Sequence, residues 1–291
     1  MKTGILIILI GLTAINLNAQ NNLFDGYEIG LNGSAGLSAL HFTTADGSKP
    51  SYSAGYAFGW DIAMIWNDFW SFRTGVNMTS YHASVSFKQK ETRNLITTPA
   101  GLPTNSHFYM EAKYRGYEEQ HKVLYLRIPL MAQYRMPTGV NHYYYVSAGL
   151  QTGIRANATC FIHSDEIVTK GYSEYTMQYY ENMSVHGFDL YSNIKSTGKT
   201  NLGIAFSGAL ETGLIWKLKN EMALYTGVFL DCALNDIRKG NPEKEPVVYS
   251  ETGVHTFNSI INSQNDGKPM TDQVHPVAVG LRLRWSMRFD R

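Results

Sequence analysis

Residues 274–289 read VHPVAVGLRLRWSMRF. From Val277 on, odd positions carry Val277, Val279, Leu281, Leu283, Trp285, Met287 and Phe289. Even positions carry Pro276, Ala278, Gly280, Arg282, Arg284, Ser286 and Arg288. Side chains on a strand alternate faces, so one face of this segment is apolar and the other small or cationic. A basic face could point to water in a soluble protein. Here the same two-faced pattern recurs in eight segments of the chain. That repetition predicts an all-β protein, an eight-stranded antiparallel up-and-down transmembrane β-barrel with long extracellular loops and short periplasmic turns.

Ser51–Trp66 is the cleanest of the other segments. Tyr52, Ala54, Tyr56, Phe58, Trp60, Ile62, Met64 and Trp66 share one face; Gly55, Ala57, Gly59 and Asp61 lie on the other. Segments beginning near Tyr27, Trp70, Leu124, Tyr144, Leu202 and Met222 repeat it more loosely. Connections after the second, fourth and sixth segments are a few residues long, whereas those after the third, fifth and seventh run to roughly 35 to 40 residues. This inequality places the long loops outside the cell and both termini in the periplasm. All five tryptophans fall on the apolar faces, as expected of aromatic girdles at a membrane interface.

Residues 1–19 read as a secretory signal, with Lys2 as the basic start and an apolar run from Ile5 to Ile15, leaving 20–291 as the barrel domain. Without the signal the chain holds 24 basic and 24 acidic residues, which gives no reason to expect nucleic acid as a partner. Cys160 and Cys232 fall on non-adjacent strands, so neither a disulfide nor a thiolate metal site is expected. The histidines are scattered singly, and no cofactor is expected. The partners expected are outer-membrane lipid, the barrel-insertion machinery and other envelope proteins.

Tyr125-Leu126-Arg127-Ile128-Pro129-Leu130, with Gln133-Tyr134-Arg135, resembles a recurrent strand of the PorT-like (OmpA-like-barrel) bacterial outer-membrane β-barrel family. Tyr145–Leu150 resembles that family's next strand, and Gly280–Trp285 its C-terminal insertion signal. The resemblance implies a barrel in the outer membrane. It implies little about function, because the family is functionally mixed and a few members serve secretion systems.

Asp61, Arg73, Arg127, Glu211, Asp231, Arg282 and Arg284 fall on inward faces and are expected to pair as a lumen plug, Asp61 with Arg73 and Asp231 with Arg282. Pro129, inward and without an N–H, is expected to cause a bulge or local break. Past Met78 the apolar residues of the third segment move to odd positions (Tyr81, Ala83, Val85, Phe87). That change of phase predicts a bulge near Thr79–Tyr81 and a projecting hairpin whose exposed edges could recruit a partner strand. Tyr114, Tyr117, Tyr172, Tyr175, Tyr179 and Tyr180 are candidate recognition residues of the external loops. The last loop, Asp236–Gln273, reads as mobile. His82 and Ser84 share a strand face, but no carboxylate lies nearby in sequence to complete a hydrolytic triad.

Overall fold

The computed structural model describes residues 25–86, 91–96, 99, 107–240, 242, 244–248 and 256–290. The signal segment and Phe87 lie outside these residues. Eight long strands form the ring: β1 Gly26–His41, β2 Ser51–Ile65, β3 Trp70–Ser86, β4 Glu118–Pro137, β5 His142–Ser173, β6 Ala205–Lys217, β7 Met222–Ala233 and β8 His275–Asp290. Each pairs antiparallel with its neighbour in the chain, and β8 returns to β1 from Tyr27↔Phe289 to His41↔His275, which closes the barrel. Closure leaves no ladder edge to be satisfied by lipid.

The outward faces are those expected. Trp60, Phe58, Leu130, Leu150, Leu210 and Leu281 are exposed, while Glu28, Asp61, Arg73, Arg127, Glu211 and Asp231 are buried inside. Rings gather at the short-turn rim: Tyr27 stacks on Phe289 at 5.4 Å and Trp70 meets Tyr134 at 5.0 Å. Glycines allow the strands to close tightly. A Cβ on Gly36 would lie 2.1 Å from the Val279 carbonyl oxygen, and one on Gly213 the same distance from that of Thr226.

The outer half departs from the sequence reading. There is no bulge at Thr79–Tyr81. Odd residues of β3 face inward from Ser71 through Val85 without interruption. What changes is the medium. Lipid surrounds the lower half, so apolar side chains point out and charges point in; water surrounds the upper half, so the preference inverts along an unbroken strand. Tyr81, Ala83, Val85, Val123, Tyr125, Ala158, Cys160 and Ile162 accordingly form an apolar core inside the upper barrel. The register shifts lie at this level but on other strands: one between Tyr52 and Tyr56 of β2, which pair with Ala83 and Ser80 of β3, and one at Ala156 on β5, beside Leu124/Tyr125 of β4. The second shift leaves Arg155 partly exposed and donating to the Thr200 carbonyl at 3.0 Å, rather than pointing into the lumen. Pro129 is inward as expected; the β3–β4 ladder skips the pairs opposite Ile128 and Pro129 and resumes in the same register, a break without a bulge.

The projecting hairpin exists, since β3 and β4 stay paired out to Ser86↔Glu118. Its edges, however, are covered by β2 and β5. Beyond a reversal at Gly116 (φ 62°), Phe108–Arg115 pairs with residues 166–173 of β5, and Glu91–Ile96 adds outside it. Leu190–Lys199 pairs with β5 on its other side. The third external connection is therefore largely strand rather than loop. The last connection is not a free loop either: Ile237, Val247, Ile260, Ile261, Met270 and Val274 are fully buried in the upper core and cap the mouth of the barrel.

Candidate functional site

The lumen holds four carboxylates, Glu28, Asp61, Glu211 and Asp231, and five guanidiniums, Arg73, Arg127, Arg135, Arg282 and Arg284. Toward the short-turn rim, Glu28 accepts from Arg135 at 3.2 Å, Arg284 at 3.1 Å and the Tyr225 hydroxyl at 2.7 Å. Arg284 also donates from Nε to Asp61 at 2.6 Å, and Asn32 donates to the second oxygen of Asp61 at 2.9 Å. Across the lumen, Glu211 accepts from Arg73 at 2.5 Å, Arg282 at 2.9 Å and Tyr145 at 2.8 Å. Asp231 accepts from Arg127 at 2.9 Å and Gln151 at 3.0 Å, with Arg282 Nη2 3.8 Å away.

The predicted pairing of Asp61 with Arg73 is replaced by Asp61 with Arg284 and Arg73 with Glu211. Asp231 and Arg282 do meet, but Glu211 is the closer partner of Arg282. The reason lies in the glycines. Gly30 of β1 separates Asp61 on β2 from Arg284 on β8, and a Cβ there would lie 2.8 Å from Arg284 Nε and 2.9 Å from Asp61 Oδ1. The ion pair closes over the missing side chain. Gly227 similarly leaves the space that the Tyr145 hydroxyl occupies. Glu28 and Arg135 belong to the network as fully as the residues singled out from sequence, and their inward positions were the available signal.

A model of the outer membrane protein β-barrel domain matches residues 18–237, three-quarters of the chain. The chain belongs to this family. The protein therefore sits in the cell outer membrane, with its short turns in the periplasm and its long connections outside. No match was found among curated proteins. Among solved structures, the chain is similar to Neisserial surface protein A, at 11% identity and TM-score 0.34, covering 89% of this chain and 96% of that one. It is similar to OprG of Pseudomonas aeruginosa at 12% identity and TM-score 0.38, covering 90% and 96%. It is also similar to AlkL at 10% identity and TM-score 0.39, covering 94% of each chain.

The outer-membrane barrel continues into an external sheet built on β5. The six tyrosines singled out from sequence separate here. Tyr114 and Tyr117 are buried, edge to face at 5.6 Å, and hold the upper core rather than a recognition surface. The strand alternation points them inward, where burial pushes the Tyr117 hydroxyl well above its ordinary pKa, beside Glu119. Tyr180 packs on Phe108 at 5.6 Å. Tyr172 and Tyr179 meet at 4.9 Å on the outer face, with Arg93 over Tyr172 at 5.0 Å and over Tyr109 at 4.3 Å. Tyr175 is exposed. A cleft of about 130 Å³ opens beside them, and its two lysines pair within it: Lys113 with Glu91 at 3.0 Å and Lys170 with Glu181 at 3.5 Å.

Inside the upper core sits a polar cluster that the sequence reading missed. Glu119 accepts from Tyr117 at 3.0 Å and from the backbone N–H of Ile260 at 3.0 Å, which ties the last connection to β4. His121 Nε2 lies 3.2 Å from Glu119, and burial lowers the pKa of His121 against the opposing pull of that carboxylate. His82 and Ser84 face outward and turn to different partners. Ser84 donates to Glu118 at 2.7 Å, and His82 Nδ1 contacts the Ala54 carbonyl at 2.8 Å. The two side chains thus do not line up as nucleophile and base.

Proposed function

We propose that the protein is a closed, non-enzymatic outer-membrane barrel that holds a rigid β-sheet outside the cell for binding. One observation carries this reading. The strands continue past the membrane with an interior that changes from ion pairs to an apolar core, so the outer half is folded as a water-exposed domain and not as the vestibule of a pore. A lumen void beside Asp231 is about 10 Å³, room for about one water. The exposed face of the sheet, with Tyr109, Tyr172 and Tyr179 interleaved with Arg93 and Lys170, supplies rigid contact area at low entropy cost. Reconstitution of the whole chain in planar bilayers tests the reading, with no stable porin-like conductance step expected. A reproducible step that survives substitution of the last connection would overturn it.

A second reading, a subunit of a secretion or uptake complex, is supported by Leu190–Lys199. This strand is laddered to β5 on one side and to no other strand among the described residues. A free edge of that kind can take a partner strand. Co-purification in mild detergent of a partner that is lost when Ile194 is replaced by proline would favour this second reading.

A further inference from the structure

The external strand Leu190–Lys199 ends the sheet on one side of β5, from Val168↔Leu190 to Thr159↔Lys199. Just past its end, the Thr200 N–H donates to the Ala158 carbonyl at 3.2 Å. Along an antiparallel pair the backbone groups alternate between the partner strand and the opposite side. Ser196 and Gly198 therefore bond β5, while Lys195, Thr197 and Lys199 turn their N–H and C=O groups to the free side. None of these groups has a partner among the described residues. Burial shows that the edge is open. The inward Cys160, Ile162 and Ser164 of β5 are buried, whereas Gly198, Ser196 and Ile194 opposite them are only half-buried. A half-covered inner face beside a row of unpaired backbone donors and acceptors has room for one further strand.

The outward side chains select that strand. Lys195, Thr197 and Lys199 form the outer row of the edge, opposite His163, Phe161 and Thr159 of β5. Neither lysine has a carboxylate within 4 Å among the described residues. Asp165 is 3.6 Å from His163, and Glu118 is engaged by Ser84 and Gln120. Thr197 is short, and the Phe161 ring beyond it is exposed. A second copy laid antiparallel about Thr197 would set lysine against lysine, which destabilises a sheet. We infer that this edge takes an extended segment of an acidic partner protein. Its carboxylates, four residues apart, stand opposite Lys195 and Lys199. An apolar side chain midway between them reaches over Thr197 to Phe161, and small or apolar residues on the inner face cover Ile194. The inference rests on the second reading above, that the edge takes a partner strand. It adds what that strand carries, since main-chain bonds supply affinity and alternate side chains supply choice.

Fluorescence anisotropy of labelled peptides, added to the full-length barrel in neutral detergent, tests this. One peptide carries the run Glu-Val-Phe-Val-Glu and its counterpart Lys-Val-Phe-Val-Lys. With two cross-strand charge pairs turned from attractive to repulsive, wild type should prefer the glutamate peptide roughly tenfold. Lys195→Glu with Lys199→Glu should reverse the preference, and Lys195→Arg with Lys199→Arg should keep it. Thr197→Pro removes an edge-facing N–H without touching the β5 ladder, and should abolish binding of either peptide. Unchanged heat-modifiable migration establishes that each variant is folded. Equal binding of the two peptides, lost in Thr197→Pro, would overturn the acidic partner and leave the edge reading standing. Binding that survives Thr197→Pro would overturn both, as would no binding by wild type. Dimerisation of wild type that Thr197→Pro abolishes would overturn the inference in favour of a second copy.

Discussion

Replacement of Glu211 by alanine is the sharpest test of how the lumen is held together. Glu211 is fully enclosed and accepts three donors, Arg73 at 2.5 Å, Tyr145 at 2.8 Å and Arg282 at 2.9 Å. Without it Arg73 has no carboxylate within 4 Å among the described residues, and Arg282 keeps only Asp231 at 3.8 Å. The Tyr145 hydroxyl loses its acceptor. The lumen also goes from one excess positive charge to two. Breaking a buried pair by removing one partner costs about 3–5 kcal/mol, because the other charge stays behind, desolvated. With two guanidiniums stranded, Glu211→Ala should fall at the upper end of that range. Glu211→Gln should cost less, since the amide oxygen still accepts from Tyr145. Urea titration in lipid vesicles, followed by tryptophan fluorescence, measures both. A companion Arg73→Met change should recover part of the loss, because it removes one stranded charge. A Glu211→Ala cost below about 1 kcal/mol would show that the lumen is wet enough to screen these charges, and the account of a dry ion-pair plug would be wrong.

Three further outcomes follow from the same contacts. Gly30→Ala puts a methyl group 2.8 Å from Arg284 Nε and 2.9 Å from Asp61 Oδ1; it should separate that pair and cost about 1–3 kcal/mol in the same titration. Glu119→Ala removes the acceptor of the Ile260 N–H and should speed hydrogen exchange at Ile260–Asn262 several-fold while exchange in β1 and β8 stays unchanged. Glu245, half-buried in the last connection, has its carboxyl pushed up to about 7 by desolvation. A raised carboxyl contributes stability that is fully present below its unfolded value near 4.5 and is lost as pH rises toward 7. Residues 244–248 should therefore resist proteolysis better at pH 5 than at pH 8, and Glu245→Gln should remove the difference.

The membrane half was legible in sequence because lipid imposes one rule on every strand. Any side chain facing it must be apolar, so a period of two in β2 or β8 reports the face directly. Trp60, Trp66, Trp70, Trp216 and Trp285 all obey this rule. Charge pairing was less legible. Adjacent strands at similar height suggested Asp61 with Arg73, but arginine is long and the lumen narrow. Partners are thus chosen by where glycines clear a path, as Gly30 does, and not by adjacency alone. The bulges on β2 and β5 left no mark in composition that an ordinary strand would lack.

Above the membrane the difficulty was of another kind. Tyr81, Ala83 and Val85 read as a change of phase because the lower half had taught that apolar means outward. The backbone of β3 did not turn; the solvent did. The same inversion explains Tyr114 and Tyr117, which look like display residues if the segment is a loop and are core residues once Phe108–Arg115 is a strand with an inner face. It also explains Glu119. At 0% exposure, a carboxylate inside an apolar core must find donors, and it finds one in the Ile260 N–H, which draws the last connection down over the mouth. A strand that crosses from lipid to water therefore carries two patterns in opposite sense on one phase. The residue at which they exchange, Ser80 on β3 and Leu124 on β4, marks the outer boundary of the membrane more sharply than hydropathy does.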